Sequence, residues 1–390
     1  MARRPRIVIA GAGYAGLAGY LALRAQVRAR RLDVTLVNGD NWHLLLPELP
    51  LYLTGAEPEG ELRLDLRRAV QPPARLVIAH VEAIEPGGAA VRCAGSAGRI
   101  GGDGLLLALG SVSSDFGVPG VAEHAVPVGA WGDAQHLRDR LLQELHSRTH
   151  SAVAVVGAGF TGVEIATALA ERARAARATL EVVLVGQEVL PSLPPAVRAA
   201  ATAALRRLEV RLASGRAAAV EAGLVRLEDG SAVRAETIVW AAGVRANPLL
   251  RACGLPVNHR GQVEVDEHLR AAQAVYCAGD CAAVRDAETG RTVAATAQLA
   301  LQEGPGAALN LARELRGEAP RPVRPREHGF LVSLGRADAA GTLSGAAVHG
   351  GDIAALKRLI ERYHAFQVGG LRGLARGLLR GVQDAAPARV

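Results

Sequence analysis

The 390-residue sequence predicts an α/β protein with two similar βαβ units and a C-terminal module. Three observations predict this class. A β-branched run that ends in a Gly-x-Gly-x-x-Gly pattern occurs twice, at 6–16 and at 152–162. Each pattern is followed by a helical stretch and then by a second strand-like run, which is the order of elements in a βαβ unit. Two further apolar runs, at 105–109 and 237–241, are typical of buried strands that close the two units.

The composition excludes several classes of protein. Apolar residues make up 49% and charged residues 21% of the chain, which are ordinary globular values and exclude disorder. Aromatic residues make up only 3%, and no nucleic-acid-binding module is recognisable, so we expect no nucleic-acid partner. No apolar run approaches the roughly 20 residues of a membrane-spanning helix, and the N-terminus lacks a signal-peptide pattern. We therefore expect a cytoplasmic protein. Any membrane binding is expected to be peripheral, on the inner face of the cell membrane.

The charge and the cysteines leave alternatives open. The net charge is +7, and all but one of the 45 basic residues are arginine. A genome rich in G and C explains this excess, and an anionic partner is the alternative. The four cysteines are too few for a disulfide scaffold and include no zinc-type pair, so we predict no metal site.

The two glycine patterns predict two Rossmann-like dinucleotide-binding domains. The first glycine of each pattern permits the tight turn out of the strand, and the second lets a pyrophosphate approach the backbone. The third allows the helix to pack closely on the strand, and the helix N-terminus offers N–H groups to the phosphate. The glycines concerned are Gly11, Gly13 and Gly16 in the first unit and Gly157, Gly159 and Gly162 in the second.

The acid that would bind the adenosine ribose is missing from both units. Asn38 follows the second strand of the first unit and keeps an acceptor oxygen that could serve. Gly186 stands at the equivalent point of the second unit, with Gln187 and Glu188 as the nearest polar residues. No arginine lies in this segment to receive a 2′-phosphate. A nearby carboxylate therefore favours NADH, and NADPH stays open as a substrate.

Six segments give the chain a resemblance to a known family. They read VTLVNGDNWHLLLPELP at 34–50, LLALGSVSSDFGVPG at 106–120, GAGFTGVEIA at 157–166, IVWAAGVRANPL at 238–249, VYCAGDCA at 275–282 and AQLALQEG at 297–304. Together these segments resemble the flavoproteins with two dinucleotide-binding domains, and within them the type II NADH:quinone oxidoreductases. The resemblance spans about residues 6–345, and its Ala-Gln-x-x-x-Gln segment points to the quinone-reducing branch.

The resemblance implies roles for particular residues. The first glycine pattern would hold FAD non-covalently, with Asp280 bonded to the ribityl chain, and the second would hold the nicotinamide coenzyme. Glu164 would lie near the nicotinamide and the flavin, and Gln298 and Gln302 at the quinone side of the isoalloxazine, so these three are the candidate catalytic residues. The other implied cofactor-binding residues are Asn38, Gly110 and Gly243. Other interpretations stay open, because Glu164 could simply favour a helix N-terminus and the two glutamines could line a solvated helix face.

The expected reaction transfers a hydride from NADH to FAD and then passes electrons to a membrane quinone, without proton pumping. Two other functions stay open: the same scaffold could reduce a protein such as ferredoxin, or act as a slow NADH-binding redox sensor. The dithiol relay of flavin disulfide reductases is excluded, because residues 38–70 contain no cysteine. A redox pair formed by Cys277 with Cys281, or by Cys253 with Cys277, is a further alternative.

The expected domains are an FAD-binding domain at 1–115 and 245–325, an NAD(P)H-binding domain inserted at 116–244, and a C-terminal module at 326–390. Within that module, apolar residues recur at helical spacing from Ile353 onward, and Arg372, Arg376 and Arg380 then line one face of a second stretch. A basic amphipathic helix of this kind predicts binding to an anionic membrane surface. Packing on the core and a homodimer contact are the alternatives.

Overall fold

The computed structural model describes residues 3–147, 149–287 and 289–369. The helices of these residues are α1 (Tyr14–Arg28), α2 (Leu49–Leu53), α3 (Glu59–Leu62), α4 (Leu66–Ala69), α5 (Val121–His124), α6 (Trp131–His146), α7 (Phe160–Ala176), α8 (Pro195–Arg207), α9 (Ala297–Glu314) and α10 (Gly351–Gly369). The strands are β1 (Arg6–Ala10), β2 (Asp33–Asn38), β3 (Trp42–Leu44), β4 (Arg63–Asp65), β5 (Arg75–Ile78), β6 (Val81–Glu85), β7 (Ala90–Cys93), β8 (Gly98–Gly101), β9 (Gly104–Leu107), β10 (Ser111–Ser113), β11 (Val126–Pro127), β12 (Ser151–Val156), β13 (Leu180–Val185), β14 (Arg211–Ala213), β15 (Ala217–Glu221), β16 (Leu224–Leu227), β17 (Ala232–Arg234), β18 (Thr237–Trp240), β19 (Val244–Ala246), β20 (Val263–Glu264), β21 (Arg270–Ala272), β22 (Val275–Cys277), β23 (Ala282–Ala283), β24 (Leu331–Ser333), β25 (Ala339–Leu343) and β26 (Ala346–His349).

The described residues divide into two compact units. The first unit contains 3–44, 65–112 and 245–327, and the second contains 45–64, 113–244 and 328–369. Each unit has its own parallel sheet, so the predicted α/β class with two βαβ units is confirmed.

The first unit is built on a six-stranded sheet in the order β21-β22-β9-β1-β2-β5. Its neighbours are parallel, except that β21 runs antiparallel to β22. The central strand β1 is buried from Ile7 to Ala10, as expected for a parallel strand covered on both faces. The loop that follows β1 therefore lies at the carboxyl edge of the sheet, where ligands of this architecture bind.

Helices α1 and α9 of the first unit pack unusually closely, because small residues face each other. A Cβ on Gly304 would lie 2.0 Å from the carbonyl oxygen of Ala15, and a Cβ on Gly19 would lie 3.0 Å from the carbonyl oxygen of Gly304. Interiors are packed too densely to absorb such overlaps, so Gly304 is a requirement of this helix pair.

The second unit is built on a five-stranded parallel sheet in the order β11-β18-β12-β13-β14. Its core includes Val156, Val183, Ile238 and Trp240. The indole nitrogen of Trp240 donates to the carbonyl oxygen of Ser114 at 2.7 Å, so the buried N–H is satisfied. As in the first unit, the glycine pattern begins where the central strand ends.

Two boundaries differ from the domains expected from the sequence. The described C-terminal residues, 328–369, belong to the second unit instead of forming a separate module. Strands β24 to β26 form an antiparallel sheet beside α10, and the ring of Phe330 lies 5.4 Å from that of Phe160 on α7. Segment 45–64 also belongs to the second unit, because Tyr52 on α2 packs 5.0 Å from Trp131 on α6 and its carbonyl oxygen accepts from Arg138. The predicted basic stretch that contains Arg372 lies outside the described residues.

Candidate functional site

The first glycine pattern forms a cradle with one open position. Gly11 has φ +101°, and a Cβ there would lie 2.1 Å from the carbonyl oxygen of Ala108. A Cβ on Gly16 would lie 1.9 Å from the carbonyl oxygen of Gly11. By contrast, a Cβ on Gly13 would meet no atom within 4 Å. Gly11 and Gly16 are therefore needed for packing, whereas Gly13 leaves room for a ligand at the N-terminus of α1, as a pyrophosphate requires.

Two side chains stabilise this cradle. Asn38, at the end of β2, accepts the N–H of Ala12 at 2.9 Å through its Oδ1 and donates to the carbonyl oxygen of Asp40 at 2.8 Å. His43 is buried, and its Nδ1 lies 3.0 Å from the carbonyl oxygen of Ala12. Burial lowers the pKa of His43 to about 4, so its ring is neutral at neutral pH and Nδ1 carries the proton that it donates. Asn38, predicted as a ribose ligand, thus orders the glycine loop in this structure.

The Gly-Asp motif of the first unit lies in a short 3₁₀ turn, Gly279–Cys281. Asp280 accepts from the hydroxyl of Ser111 at 2.7 Å. The N–H of Gly279 donates to the Oε2 of Glu303 at 2.7 Å. Glu303 is buried, and burial raises the pKa of its carboxyl to about 7. Sequence reasoning missed Glu303, although it directly follows Gln302 in a quoted motif.

Gly110, after β9, has φ +66° and open space where a Cβ would be. Its carbonyl oxygen accepts the N–H of Asn247 at 3.2 Å. Among the described residues of both units, no group of three or more His, Cys, Asp or Glu residues is arranged to hold a metal ion.

Gln298 and Gln302 lie one turn apart on α9, as predicted, and α9 begins after Thr296, whose hydroxyl accepts the N–H of Leu299. The Gln302 amide is bonded to the backbone of Arg326 in both directions. Its Nε2 donates to the Arg326 carbonyl oxygen at 2.9 Å, and its Oε1 accepts the Arg326 N–H at 2.9 Å. The structure therefore uses Gln302 to position a neighbouring segment, and its expected catalytic role stays a prediction.

The second glycine pattern repeats the arrangement of the first. Gly157 has φ +114°, and a Cβ there would lie 2.4 Å from the carbonyl oxygen of Ala241. A Cβ on Gly162 would lie 1.8 Å from the carbonyl oxygen of Gly157, whereas one on Gly159 would meet nothing within 4 Å. A Cβ on Gly243, which has φ +143°, would lie 3.1 Å from the ring of Phe116. The second cradle thus also leaves room above its middle glycine.

The strand end of this second cradle differs from what the sequence suggested. A Cβ on Gly186 would lie 2.6 Å from the Cβ of Ala158, so no side chain fits there without a shift. The Oε1 of Gln187 accepts from the Nε of Arg216 at 2.8 Å. The segment itself contains no arginine, as the sequence shows, but the turn between β14 and β15 brings in Arg216 from 29 residues downstream.

Glu164 lies near the N-terminus of α7 and is only 8% exposed. Its Oε1 accepts the N–H of Ser333 at 2.9 Å and lies 3.2 Å from the Nζ of Lys357. Burial raises the pKa of Glu164, and the charge of Lys357 opposes that rise. Glu164 is therefore a buried carboxyl whose pKa is raised by burial and Glu361 and lowered by Lys357 and the Ser333 N–H.

Lys357 joins Glu164 to two further carboxyls of the second unit. Its Nζ also lies 2.6 Å from the Oε1 of Glu361, one turn later on α10. Burial acts to lower the pKa of Lys357, but the attraction of Glu164 and Glu361 raises it overall. Glu48 shares a hydrogen bond with Glu361, and burial, together with the Glu361 charge, raises the pKa of Glu48 to about 9. Sequence reasoning missed this cluster, for which the only signal was that Lys357 is the sole lysine of the chain.

A family model for the pyridine nucleotide-disulphide oxidoreductases matches residues 5–304. The chain belongs to this family. It is 28% identical over 396 residues to the type II NADH:quinone oxidoreductase of Staphylococcus epidermidis and 28% identical over 403 residues to that of Staphylococcus aureus. Each match covers 95% of this chain and 98% of the relative. The resemblance drawn from the sequence is confirmed by these relatives.

Solved structures of the family's fold agree with this assignment. The structure of NDH2 from Plasmodium falciparum in complex with NADH has a TM-score of 0.84 at 16% identity, covering 100% of this chain and 99% of that one. The sulfide:quinone oxidoreductase of Aquifex aeolicus has a TM-score of 0.78 at 18% identity, covering 99% and 96%. At these identities the likeness concerns the fold.

The cysteines of this family member are all free. Cys277 and Cys281 are buried, and their sulfur atoms lie 3.5 Å apart beside the Gly-Asp turn. Burial and the neighbouring thiol raise the pKa of Cys277, which disfavours a reactive thiolate there. In the part of the chain that the structure describes, no helix has the length and apolarity needed to cross a membrane.

Proposed function

We propose that this chain is a flavoprotein that oxidises NADH and reduces a membrane quinone, with FAD bound non-covalently by the first unit and NADH by the second. The observation that carries the proposal is the pair of cradles, each open above its middle glycine, Gly13 or Gly159, and closed at the glycines on either side. The names of the Staphylococcus relatives support the same reaction. The overall reaction converts NADH, quinone and one proton into NAD⁺ and quinol.

The residues of the first unit fit FAD. Bound FAD would accept a hydride from NADH and release two electrons to the quinone. Gly13 and the N-terminus of α1 would bind the pyrophosphate of FAD. Asp280, which Ser111 already orients, would accept a hydrogen bond from a hydroxyl of the ribityl chain. Glu303 fixes the Gly279 N–H and so determines the conformation of that turn.

The proposal assigns the proton required by the quinone to Glu164. A general acid works best when its pKa lies near the working pH, and burial raises the pKa of this carboxyl in that direction. Lys357 opposes the rise, so it adjusts the proton affinity of Glu164. Gln298 and Gln302 remain proposed quinone-side residues, with Gln302 acting through the backbone that it positions.

The proposal includes reversible attachment to an anionic membrane surface through the C-terminal basic stretch, without ion translocation. Two arrangements of charge support attachment: the net charge of +7, and Arg372, Arg376 and Arg380 at helical spacing. Proteoliposomes that contain a pH indicator should show quinone reduction without a proton gradient.

Anaerobic stopped-flow spectroscopy tests the electron path. The purified protein should contain FAD, NADH should bleach its absorbance rapidly, and a soluble quinone should restore it. Bleaching of the flavin by NADH without recovery on addition of quinone would indicate that the electron acceptor is a protein such as ferredoxin. Very slow recovery with every quinone would favour the redox sensor, and a protein without bound flavin would refute the proposal.

The variant Lys357→Met tests the proton assignment. We expect unchanged bleaching by NADH and a pH profile of reoxidation by quinone that moves to higher pH, because the loss of the lysine raises the pKa of Glu164. Lys357→Arg keeps the charge and serves as the control. Equal slowing of both half-reactions by Lys357→Met would contradict the assignment.

A further inference from the structure

The end of β13, where the second cradle would bind the adenosine ribose of the coenzyme, bears on whether NADPH binds as well as NADH. In βαβ units of this type, a carboxylate after the second strand binds the ribose 2′-hydroxyl of NADH, whereas an arginine there accommodates the 2′-phosphate of NADPH. Position 186 cannot supply the carboxylate, since a Cβ there would lie 2.6 Å from the Cβ and 3.0 Å from the backbone nitrogen of Ala158. The usual signature of NADH selectivity is therefore excluded by packing.

The nearest carboxylate is already paired. Glu188 follows two residues later, and its Oε2 accepts from the guanidinium of Arg198 on α8 at 2.8 Å. Gln187, between Gly186 and Glu188, is neutral. The end of β13 thus presents the amide of Gln187. None of residues 186–188 carries an unpaired negative charge that would repel a phosphate.

Backbone hydrogen bonds bring a positively charged side chain, that of Arg216, to the end of β13. The N–H of Gly186 donates to the carbonyl oxygen of Ala213 at 3.1 Å, and the N–H of Gly215 donates back to the carbonyl oxygen of Gly186 at 3.3 Å. These bonds join the turn after β14 to the end of β13. Arg216 follows directly in this turn, and its Nε donates to the Oε1 of Gln187 at 2.8 Å.

The guanidinium of Arg216 has no competing anion in the described part of the chain. It is exposed, and its side chain has no salt bridge among those residues. Several other arginines of this unit differ, because Arg198, Arg211 and Arg226 are each bonded to a glutamate. The Nε bond to Gln187 orients the fork of terminal nitrogens, the geometry that suits bidentate binding of a phosphate.

We propose that Arg216, oriented by Gln187, binds the 2′-phosphate of NADPH, so that this chain uses NADPH as well as NADH. The inference rests on the proposed function, in which the second unit binds the nicotinamide coenzyme. A 2′-phosphate carries nearly two negative charges and meets an exposed arginine, so its binding should weaken as salt rises.

Binding of two small probes to the flavin-loaded enzyme tests the proposal by calorimetry. Adenosine 2′,5′-bisphosphate and adenosine 5′-monophosphate differ only by the 2′-phosphate. We expect the wild type to bind the bisphosphate at least as tightly as the monophosphate. Arg216→Gln should weaken bisphosphate binding about tenfold and change monophosphate binding less than about twofold.

Arg226→Gln is the matched control, because it removes an exposed arginine of the same unit that is already paired with Glu221. It should leave the binding of both probes unchanged. Gln187→Glu should weaken binding of the bisphosphate and leave binding of the monophosphate unchanged. In both Arg216→Gln and Gln187→Glu, the ratio of kcat/KM for NADPH to that for NADH should fall.

Two results would overturn the proposal. The first is wild-type binding of the monophosphate at least about tenfold tighter than that of the bisphosphate. The second is an equal loss of affinity for both probes in Arg216→Gln. If neither probe binds while the flavin is present, the second unit is not the coenzyme site, and the proposed function fails together with this inference.

Discussion

The middle glycines separate ligand binding from folding at the scale of single residues. Gly159 has φ −79°, which alanine adopts freely, and open space where its Cβ would lie. Gly159→Ala should therefore fold normally and weaken NADH binding at least about tenfold, because the methyl group occupies the approach of the pyrophosphate. Thermal melting and the Kd for NADH measure the two effects.

Control substitutions distinguish this effect from general damage. Gly132→Ala, at an exposed and open helical position on α6, should leave NADH binding unchanged and raise stability by about 0.5–1 kcal/mol. Gly162→Ala should fail to fold, because its Cβ would overlap the Gly157 carbonyl. Normal NADH affinity in Gly159→Ala would show that the open space does not receive the coenzyme.

A second residue-scale prediction concerns Glu48. Its pKa is about 9 in the fold against an ordinary value of 4.5, so the folded protein holds a proton that the unfolded chain releases. The stability that depends on this proton is fully present below about pH 4.5 and is lost as the pH rises toward about 9. Glu48→Gln should remove that loss, raising the unfolding free energy by about 1–3 kcal/mol at about pH 8 and by little at about pH 4.

Denaturant unfolding across that pH range measures the difference. Glu57→Gln is the control, since it removes a nearby acid that contributes only a minor Coulomb effect on Glu48. A Glu48→Gln variant whose stability falls with pH as steeply as that of the wild type would contradict the assignment.

Residues close together in the sequence were predicted well, and those brought together by the fold were not. Each glycine cradle is encoded within eleven consecutive residues, so its pattern alone gives strand, turn and helix start. Arg216 reaches Gln187 only through the pairing of β13 with β14, which no local pattern announces. Lys357 reaches Glu164 only through the packing of the C-terminal region on α7, which the sequence analysis treated as a separate module.

At the scale of elements, α9 does more than cover the sheet of the first unit. Two of its amides, Gln302 and Asn310, each bond both the N–H and the carbonyl oxygen of one residue in the extended segment that follows. Those residues are Arg326 and Arg321, so the helix and the segment run past each other in opposite directions. Extended backbone outside a sheet needs such partners for its polar groups.

Gln302→Leu should loosen the end of this segment. Because Arg326 is exposed, water replaces the lost partners, and the cost should be only about 1 kcal/mol. Trypsin should nevertheless cut after Arg326 several-fold faster, since the local opening becomes more frequent. Gln302→Glu keeps the acceptor for the Arg326 N–H and loses the donor, so its cleavage rate should be intermediate. Unchanged cleavage in Gln302→Leu would show that Asn310 alone holds the segment.

At the scale of the whole molecule, the charge distribution predicts how attachment to membranes depends on the C-terminus. Removing residues 370–390 deletes Arg372, Arg376, Arg380 and Arg389 but only one acid, Asp384. Each arginine near an anionic surface contributes about 1 kcal/mol, so the truncated chain should bind phosphatidylserine vesicles at least about tenfold more weakly. Vesicle sedimentation measures the binding, and neutral vesicles are the control. Equal binding by both chains would place the attachment surface elsewhere.

The close contact of α1 with α9 has a consequence for synthesis. Gly304, which lets the two helices meet, leaves the ribosome roughly 15–60 seconds after the first residues at roughly 5–20 residues per second. For most of that interval the nascent first unit lacks both α9 and β22, so the apolar residues that they later cover stay uncovered. The yield of native enzyme in a cell should therefore depend on chaperones and on translation speed more than on the stability of the finished fold.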